Sequence, residues 1–352
     1  MSNNDIHLID GPEAWHGKDL VNDERWRLCL DDGDIVEIDR ALQNVKERGL
    51  AWSDMTRGSD FPLDRVLEKL AFVSDELEEG CGLINIKGFP VDRYEGEDIN
   101  RIWYGIALNI GTPIYQNYRG ELLRDIVDER QDTDATNDNR LFAQDGSVFH
   151  SSRARTASNG PLRFHTDRAD VVGLFCVRQA VKGGISKVAS SVRVHNEIVE
   201  QWPEVAALLY DVVYRSRHGE EKNGSQTVYG IPIFGVRDGK FTSHYSRTYV
   251  EAAQELDSVP RMTSEQWDAL DILAEVAEKV CMEMRLEPGD IQLINNHVIY
   301  HARTAYEDNS EASRCLKRIW LSMPNSRALP EGQSILWRNV EAGALRGGIT
   351  QV

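Results

Sequence analysis

The chain has 352 residues, of which 41% are hydrophobic, and its 40 lysines and arginines against 57 aspartates and glutamates give a net charge of −17 with histidines neutral. This length allows a sizeable buried core, arranged as one large domain or two ordinary ones. The negative charge argues against a basic stripe for nucleic acid and against binding to an anionic membrane surface.

The cysteines and the apolar segments of the sequence indicate in which cellular compartment the protein is expected. The cysteines are odd in number, widely spaced and absent from C-x-x-C pairs, so they predict neither a disulfide framework nor a thiolate zinc site. The first residues are polar, and no run of eighteen apolar residues occurs, so neither a secretion signal nor a membrane span is predicted. We therefore expect a cytoplasmic protein.

The first part of the chain is predicted to be mainly helical. Apolar residues recur at helical spacing over 36–50 and 63–77, so roughly the first eighty residues are assigned to helices. A strand is predicted over 83–90, where Gly and Pro close an apolar run, and a further helix over 98–108.

A long segment at about 128–160 differs from its surroundings. It is rich in Asp, Asn, Ser, Arg and Gly, shows little periodicity and runs directly into His165. Segments of this length without their own pattern are often functional lids, and we expect a lid over the active site. The alternative is an ordinary surface excursion.

The second half of the chain is rich in short strands. A helix is predicted from Ser264, taken as its N-cap, to Met284. Strands are predicted over 171–177, 187–191, 227–236, 240–245 and 291–294. Short strands with helices before and between them predict an α+β fold whose core is a double-stranded β-helix of the jelly-roll, cupin-like type.

The expected domain organisation follows from these elements. A helical N-terminal region over residues 1–80 is predicted to pack on a jelly-roll catalytic domain over 81–352. That domain is expected to contain the lid loop at about 128–160 and a helical insert at about 192–285. The two parts are predicted to form one structural unit.

Two motifs far apart in the sequence supply candidate metal ligands. Alternate side chains of an extended segment share a face, so His165 and Asp167 of F-H-T-D can point at one spot, and His301 is the candidate third ligand. Two histidines and one carboxylate leave one side of an ion open, which is what non-haem Fe(II) oxygenases require. His297, four residues before His301, is expected to lie roughly 13 Å away in an extended run and is interpreted as structural.

From about Gly82 to Leu321 the chain resembles the TauD/TfdA-type Fe(II)- and 2-oxoglutarate-dependent dioxygenases, of the clavaminate-synthase-like superfamily. The strand over 83–90, I-G-T-P at 110–113, H-T-D at 165–167 and G-G-I-S at 183–186 match the family's elements in order. Its last signature is matched by Gly289, Asp290, Asn296, His301, Arg303, Arg314, Arg318 and Trp320. Lys87 and Asn295 depart from it, since the family often has Arg and Asp there.

The resemblance implies a ligand set. It assigns Fe(II) to His165, Asp167 and His301, a choice that suits the ion because neutral imidazoles and a carboxylate favour Fe(II). It assigns the distant carboxylate of the cosubstrate 2-oxoglutarate to Arg314, with Ser186 assisting. A guanidinium can bind such a carboxylate with two parallel hydrogen bonds.

Three further residues are implied on the substrate side. Arg318 shares a strand face with Arg314, and we expect it either to contact substrate or to form an ion pair behind the metal ligands. In the first case the substrate carries an anionic group. Gln116 and Asn117 match a region that lines the substrate pocket in relatives.

The implied reaction is hydroxylation of an unactivated C–H bond of a small polar substrate, with O2 consumed and succinate and CO2 released. Desaturation and demethylation are alternatives on the same site. Two other classes remain open, because a metal-dependent hydrolase can use the same three ligand types and a 2-oxoglutarate sensor can share the fold without turnover. The expected partner is a small molecule rather than nucleic acid or membrane, and base rates admit a homo-oligomer.

Overall fold

Two β-sheets form the framework of the protein, for which a computed structural model describes residues 6–129, 156–217, 227–309 and 313–349. Within these ranges one sheet has seven strands and the other four, and three two-stranded ribbons accompany them. Most of the predicted lid, residues 130–155, lies outside the described residues. No helix in the described ranges is long and apolar enough to cross a membrane.

The strands are short, and most pair with strands distant in sequence. They are β1 (Arg27–Cys29), β2 (Leu83–Lys87), β3 (Thr112–Pro113), β4 (Leu123–Ile126), β5 (Leu162–His165), β6 (Val171–Arg178), β7 (Lys182–Gly183), β8 (Ser186–Ser190), β9 (Val213–Ser216), β10 (Val228–Ile231), β11 (Phe234–Arg237), β12 (Lys240–Ser243), β13 (Met282–Met284), β14 (Ile291–Asn295), β15 (Ile299–Arg303), β16 (Tyr306–Glu307) and β17 (Cys315–Ser322).

The helices lie mainly before the sheets and between β8 and β13. They are α1 (Gly17–Leu20), α2 (Asp32–Glu47), α3 (Arg65–Glu79), α4 (Gly96–Leu108), α5 (Ser191–Gln201), α6 (Pro203–Leu209), α7 (Arg247–Gln254), α8 (Ser264–Val280) and α9 (Ser334–Trp337).

The larger sheet has the order β1-β2-β14-β6-β17-β3, with β4 also pairing with β17. Helices α2, α3 and α4 pack their apolar faces against it and form one hydrophobic core, in which Trp103 is fully buried. Trp103 donates its indole N–H to the carbonyl of Lys317 in β17. Burial of such apolar faces is the main stabilising contribution in this layer.

The smaller sheet has the order β13-β8-β15-β5. A second hydrophobic core lies between this sheet and the helices α5, α6 and α8. The two sheets with flanking helices confirm the predicted α+β jelly-roll fold, because the short strands of each sheet are joined by connections that cross to the other sheet.

Three details differ from the sequence predictions. The predicted helix to Met284 ends at Val280, because residues 282–284 pair with β8 as β13. Its N-cap is Thr263 rather than Ser264, since the Thr263 hydroxyl accepts the N–H of Gln266 while the Gln266 side chain accepts the N–H of Thr263. The first eighty residues also include β1, which pairs parallel with β2.

The region predicted as a helical insert, 192–285, contains strands as well as helices. Helices α6, α7 and α8 lie within it, together with most of α5, and so do β9 to β12 and β13. The hairpin β11–β12 turns at Asp238, where φ is 52°, and at Gly239, where φ is 78°. An Asp-Gly pair suits a two-residue hairpin turn with positive φ. The division of the chain at residue 80 into two packed parts stays a prediction.

Candidate active site

The two candidate histidines are neighbours across two paired strands. His165 ends β5, and it is the register partner of His301 in the middle of β15. Directly opposed residues of antiparallel strands bring their side chains together, and the two imidazole centroids lie 4.2 Å apart. The strand register therefore joins two motifs that are more than a hundred residues apart in sequence.

Asp167 follows β5 and turns toward the larger sheet. Its backbone N–H donates to Oδ1 of Asn296, and its Oδ2 accepts the indole N–H of Trp320 at 2.9 Å. Burial would raise the pKa of this carboxyl, but Arg318, the two histidines and the Trp320 hydrogen bond bring the pKa below its ordinary value. The residue is therefore an ionised carboxylate in a buried position.

The three side chains converge on one point. Oδ1 of Asp167 lies 3.9 Å from Nε2 of His165, and Oδ2 lies 3.8 Å from Nε2 of His301. All three residues can offer ligand atoms within 4.8 Å of one another. This is the spacing of groups that share one metal ion rather than of three independent surface residues.

Each imidazole presents a ring nitrogen to the point where the three side chains meet. Nδ1 of His165 lies 2.8 Å from the carbonyl of Arg163, which leaves Nε2 directed at Asp167 as the lone-pair nitrogen. Burial, with a smaller contribution from His165, lowers the pKa of His301 to about 3, so its ring is neutral. Two imidazoles and one carboxylate, with no thiolate among them, fit Fe(II).

A pocket of about 550 Å³ opens beside the triad, between the two sheets. Arg314 lines it and is 3% exposed, and its Nε and Nη1 atoms have no hydrogen-bond partner among the described residues. Ser186 lines the same pocket, with its hydroxyl donating to Gln292. Buried donors without acceptors are expensive unless a ligand supplies them, so this pocket is suited to a carboxylate.

A second guanidinium, that of Arg303, lines this pocket. Its Nη2 donates to the carbonyls of Ser158 and Gly160, while Nε and Nη1 have no partner in the described part of the chain. Arg303 and Arg314 both lie over the Tyr306 ring, at 4.7 and 5.1 Å from its centroid. Burial, reinforced by the neighbouring Arg314, lowers the pKa of Arg303 to about 10, because two cations lie close together in a buried region.

The glycine pair of G-G-I-S shapes this end of the pocket. Gly183 and Gly184 have φ values of 73° and 65°, which favour glycine. A Cβ at Gly183 would lie 2.1 Å from the Ala305 carbonyl oxygen, and one at Gly184 would lie 3.1 Å from Nε of Arg314. The turn therefore lets the backbone pass close to Arg314, with Ser186 two residues on.

A second pocket, of about 700 Å³, lies on the other side of the triad and shares His165, Asp167 and Arg318 with the first. Arg318 donates to Oε1 of Gln116 at 2.6 Å, and its Nη1 lies 3.8 Å from Oδ2 of Asp167. Arg318 thus lies between the triad and this pocket, with its guanidinium close to the Asp167 carboxylate, and contact with substrate stays a prediction.

The two predicted pocket residues Gln116 and Asn117 both line the second pocket, but their amides serve the protein. The Gln116 amide donates to the carbonyls of Leu122 and Arg318. The Asn117 amide donates to Glu121, and its Oδ1 accepts the N–H of Arg119. Gln116 therefore positions Arg318, and Asn117 holds the loop that forms the pocket wall.

His297 lies apart from the metal cluster. It sits in the turn between β14 and β15 rather than in an extended run, and its Nε2 lies 2.8 Å from Oδ1 of Asp170. Arg346 also donates to that carboxylate, at 2.7 Å. The buried group of Asp170, His297 and Arg346 fastens the C-terminal segment beside the second pocket.

Sequence reasoning named three further site residues without giving them a role. Asn296, Arg303 and Trp320 were matched only as letters of a signature, yet Asn296 and Trp320 bond to Asp167 and Arg303 shares the pocket of Arg314. The sequence indicated a role for them at the site only through their places in the family signature. Which way each side chain points became clear only from the strand register.

A two-histidine, one-carboxylate cluster between the sheets of a jelly roll defines the class of non-haem iron oxygenases. The model of the family described as "Taurine catabolism dioxygenase TauD, TfdA family" matches residues 50–320. The chain belongs to this family and is a non-haem Fe(II)- and 2-oxoglutarate-dependent oxygenase, as the sequence predicted.

Two curated relatives and one solved structure illustrate the similarity. FR-33289 synthase of Streptomyces rubellomurinus (strain ATCC 31215) is 28% identical over 333 residues, covering 93% of this chain and 94% of the relative. Taurine hydroxylase-like protein SAT17 of Stachybotrys chartarum (strain CBS 109288 / IBT 7711) is 27% identical over 301 residues, covering 83% and 74%. Asparagine oxygenase in complex with Fe(II), 2S,3S-3-hydroxyasparagine and succinate superposes with a TM-score of 0.64 at 16% identity, covering 91% of this chain and 99% of the other.

Proposed function

We propose that His165, Asp167 and His301 bind the Fe(II) of this oxygenase. The proposal is supported by the convergence of their ligand atoms within 4.8 Å, by the neutral state of His301 and by the ionised state of Asp167. Trp320 and Asn296 fix the Asp167 carboxylate and its backbone. Such outer partners set ligand orientation and hence metal affinity.

We further propose that Arg314 binds the distant carboxylate of 2-oxoglutarate. The unpaired Nε and Nη1 of this buried residue are the observation that carries the assignment. Arg303 adds a second positive charge beside the same pocket, and Ser186 contributes a hydroxyl at its wall. A carboxylate placed there would receive charge-assisted hydrogen bonds in a region of low dielectric.

The reaction we assign is hydroxylation of a C–H bond of a small polar molecule. With Fe(II) and 2-oxoglutarate bound, O2 would be the oxidant: one of its oxygen atoms would enter succinate as 2-oxoglutarate loses CO2, and the other would be inserted into the substrate C–H bond. The chain contributes orientation and exclusion of water, since Leu174, Leu286 and Leu316 line the cosubstrate pocket with apolar surface. The relative from Stachybotrys, named for a likeness to a taurine hydroxylase, agrees with this reaction type.

The substrate is proposed to carry an anionic group. Although the chain is strongly acidic, four arginines line the second pocket: Arg124, Arg168, Arg217 and Arg318. Among its described lining residues Asp167 is the sole carboxylate, and we assign that group to the metal, while Arg124 is paired with Glu129 at 3.0 Å outside the lining. A cleft of one charge sign attracts ligands of the other sign.

The test is a screen of small anionic molecules for succinate release by protein supplied with Fe(II), 2-oxoglutarate and O2. We expect release to rise above the substrate-free rate only with molecules that fit the second pocket, and a hydroxylated product to accompany it. Hydrolysis products without succinate would assign the site to a metal-dependent hydrolase. Tight 2-oxoglutarate binding with no turnover on any substrate would assign it to a sensor.

Domain arrangement and assembly are also proposals. The region before residue 80 packs α2 and α3 against the larger sheet, which supports a single structural unit. The lid predicted at about 128–160 stays a prediction, because residues 130–155 lie outside the described residues. Homo-oligomer formation rests on base rates for soluble enzymes.

A further inference from the structure

The imidazole of His244 is a buried polar group in the wall of the second pocket. His244 follows β12, is 3% exposed and lines the pocket beside His165 and Asp167. Its Nδ1 lies 3.0 Å from the hydroxyl of Thr166, but its Nε2 has no hydrogen-bond partner among the described residues. A buried ring nitrogen without a partner is costly in free energy, and a ligand in the pocket would remove that cost.

The hydrogen bonds around Thr166 indicate which nitrogen carries the proton. The Thr166 hydroxyl accepts the N–H of Tyr245 at 3.2 Å. Its own proton has a nearer acceptor in Nδ1 of His244, at 3.0 Å, than in the Tyr245 carbonyl, at 3.4 Å. The imidazole proton then belongs on Nε2, which makes this atom a donor to the pocket.

The ring keeps this neutral form across the ordinary pH range. Burial lowers the pKa of His244 well below 6.5, and electrostatic interaction with Arg215, His297 and Arg168 acts in the same direction. His244 is thus a fixed neutral donor in a pocket that already contains positive charge.

Backbone hydrogen bonds hold the main chain of two arginines that line the second pocket, Arg168 and Arg217. The carbonyl of Arg168 accepts the N–H of Gly348 at 2.7 Å, which ties it to the C-terminal segment. The N–H of Arg217 donates to the carbonyl of Thr227 at 2.9 Å, and its guanidinium lies 5.1 Å from the centroid of the Tyr229 ring. Donors from three separate segments therefore line one pocket.

We propose that His244, Arg168 and Arg217 form a subsite for a doubly charged oxyanion group of the substrate, that is, a phosphate monoester or a phosphonate. The Nε2–H of His244 supplies a neutral hydrogen bond to one oxygen, and the two guanidiniums can donate charge-assisted hydrogen bonds to the others, which suits a group with three terminal oxygens and two negative charges. A carboxylate or a sulfonate carries one negative charge and matches this set less well. The inference rests on the proposed function, because it names the substrate class of the same pocket.

The first experiment is calorimetric titration of the full chain, loaded anaerobically with Fe(II) and 2-oxoglutarate, at constant ionic strength. The probes are methyl phosphate, methylphosphonate, methanesulfonate and acetate. We expect the Kd values of the two dianions to be at least about tenfold lower than those of the two monoanions. A preference between the dianions separates a phosphate ester from a phosphonate, whereas equal binding of all four probes, or no dianion binding, overturns the subsite.

The second experiment repeats the titration with two variants. His244→Phe keeps a buried ring but lacks the N–H donor. Arg217→Met removes the guanidinium of the residue that follows β9. Each variant is expected to weaken dianion binding about tenfold or more. Arg25→Met is the control, since its exposed side chain pairs with Asp23 away from the pocket. Dianion binding unchanged in both pocket variants overturns the proposal.

Binding of Fe(II) and 2-oxoglutarate is measured first in every variant. Retention of that binding in His244→Phe and Arg217→Met shows that a lost dianion site is a local effect, and Arg217→Met serves if the histidine variant does not fold. Absence of 2-oxoglutarate binding in the unmodified chain would instead contradict the proposed function, so the two failures are distinguishable.

Discussion

The two pockets beside the triad share a wall but are built differently. The cosubstrate pocket takes its lining largely from strands of both sheets, including β6, β8, β14, β15 and β17. The substrate pocket takes much of its lining from residues that follow strands, such as Arg168, Arg217 and His244, and from Ile349 near the C-terminus. We expect the rigid strands to position 2-oxoglutarate and the connections to determine which substrate binds.

The largest expected effect is at the centre, where the pockets meet. Replacing Asp167 with Ala removes the carboxylate from the cluster, so we expect turnover to be abolished and Fe(II) affinity to fall by at least about 100-fold. Asp257→Ala, at a fully exposed side chain away from the triad, is the matched control. Hydroxylation that persists in Asp167→Ala would refute the ligand assignment.

The next largest effect is expected on 2-oxoglutarate binding, with little effect on Fe(II) binding. Arg314→Met leaves a carboxylate of 2-oxoglutarate without its buried partner, so we expect its Kd to rise about 100-fold, which corresponds to about 3 kcal/mol. Fe(II) binding should remain, as measured by metal titration. Arg303→Met is the comparison, with a smaller rise because its Nη2 already serves two carbonyls. Equal affinity in Arg314→Met and the unmodified chain would remove the basis for the assignment.

A smaller effect is expected from the residue that supports Asp167 from the larger sheet. Trp320→Phe keeps the ring but loses the N–H that donates to Oδ2 of Asp167. Loss of such a partner typically lowers metal affinity about 10- to 100-fold. Fe(II) titration checks this, with Trp52→Phe as a control in a different part of the fold. An unchanged metal affinity would show that the indole does not orient the carboxylate.

The smallest effect tests the substrate side alone. Gln116→Met removes the acceptor that holds Nε of Arg318 at 2.6 Å. We expect the KM for the substrate found by succinate release to rise about tenfold, with little change in the Kd for 2-oxoglutarate. If 2-oxoglutarate affinity falls as much as substrate affinity, the two pockets do not act separately as the comparison requires.

The sequence predicted the strand-built side of the site better than the connections. His165 and Asp167 are two residues apart, and the His301 to Arg318 signature lies on β15 and β17, so local spacing carries most of the information. His244 contacts Thr166 from 78 residues away, and no local pattern connects them. Such a contact depends on how the hairpin β11–β12 packs, which is a tertiary property.

In the fold, too, local sequence patterns predicted some elements but not those that depend on tertiary pairing. Helices α2, α3 and α4 follow from apolar periodicity, because each has one buried face. Strands β2, β6 and β14 follow instead from short apolar runs, since they are buried along most of their length, whereas β1 was not predicted. The end of α8 did not follow, since residues 282–284 have a helical pattern continuing from α8 but gain more from pairing with β8. Tertiary pairing overrode local preference at that point.

The central claim is that the three ligands and Arg314 hold one ferrous ion and one molecule of 2-oxoglutarate together. Anaerobic titration of the purified chain, followed by the visible charge-transfer absorption of the Fe(II)–2-oxoglutarate chelate, tests it most directly. We predict that the absorption appears only when both are present, saturates at one of each per chain, and is absent in Asp167→Ala. Failure of the band to appear in the unmodified chain would contradict the account.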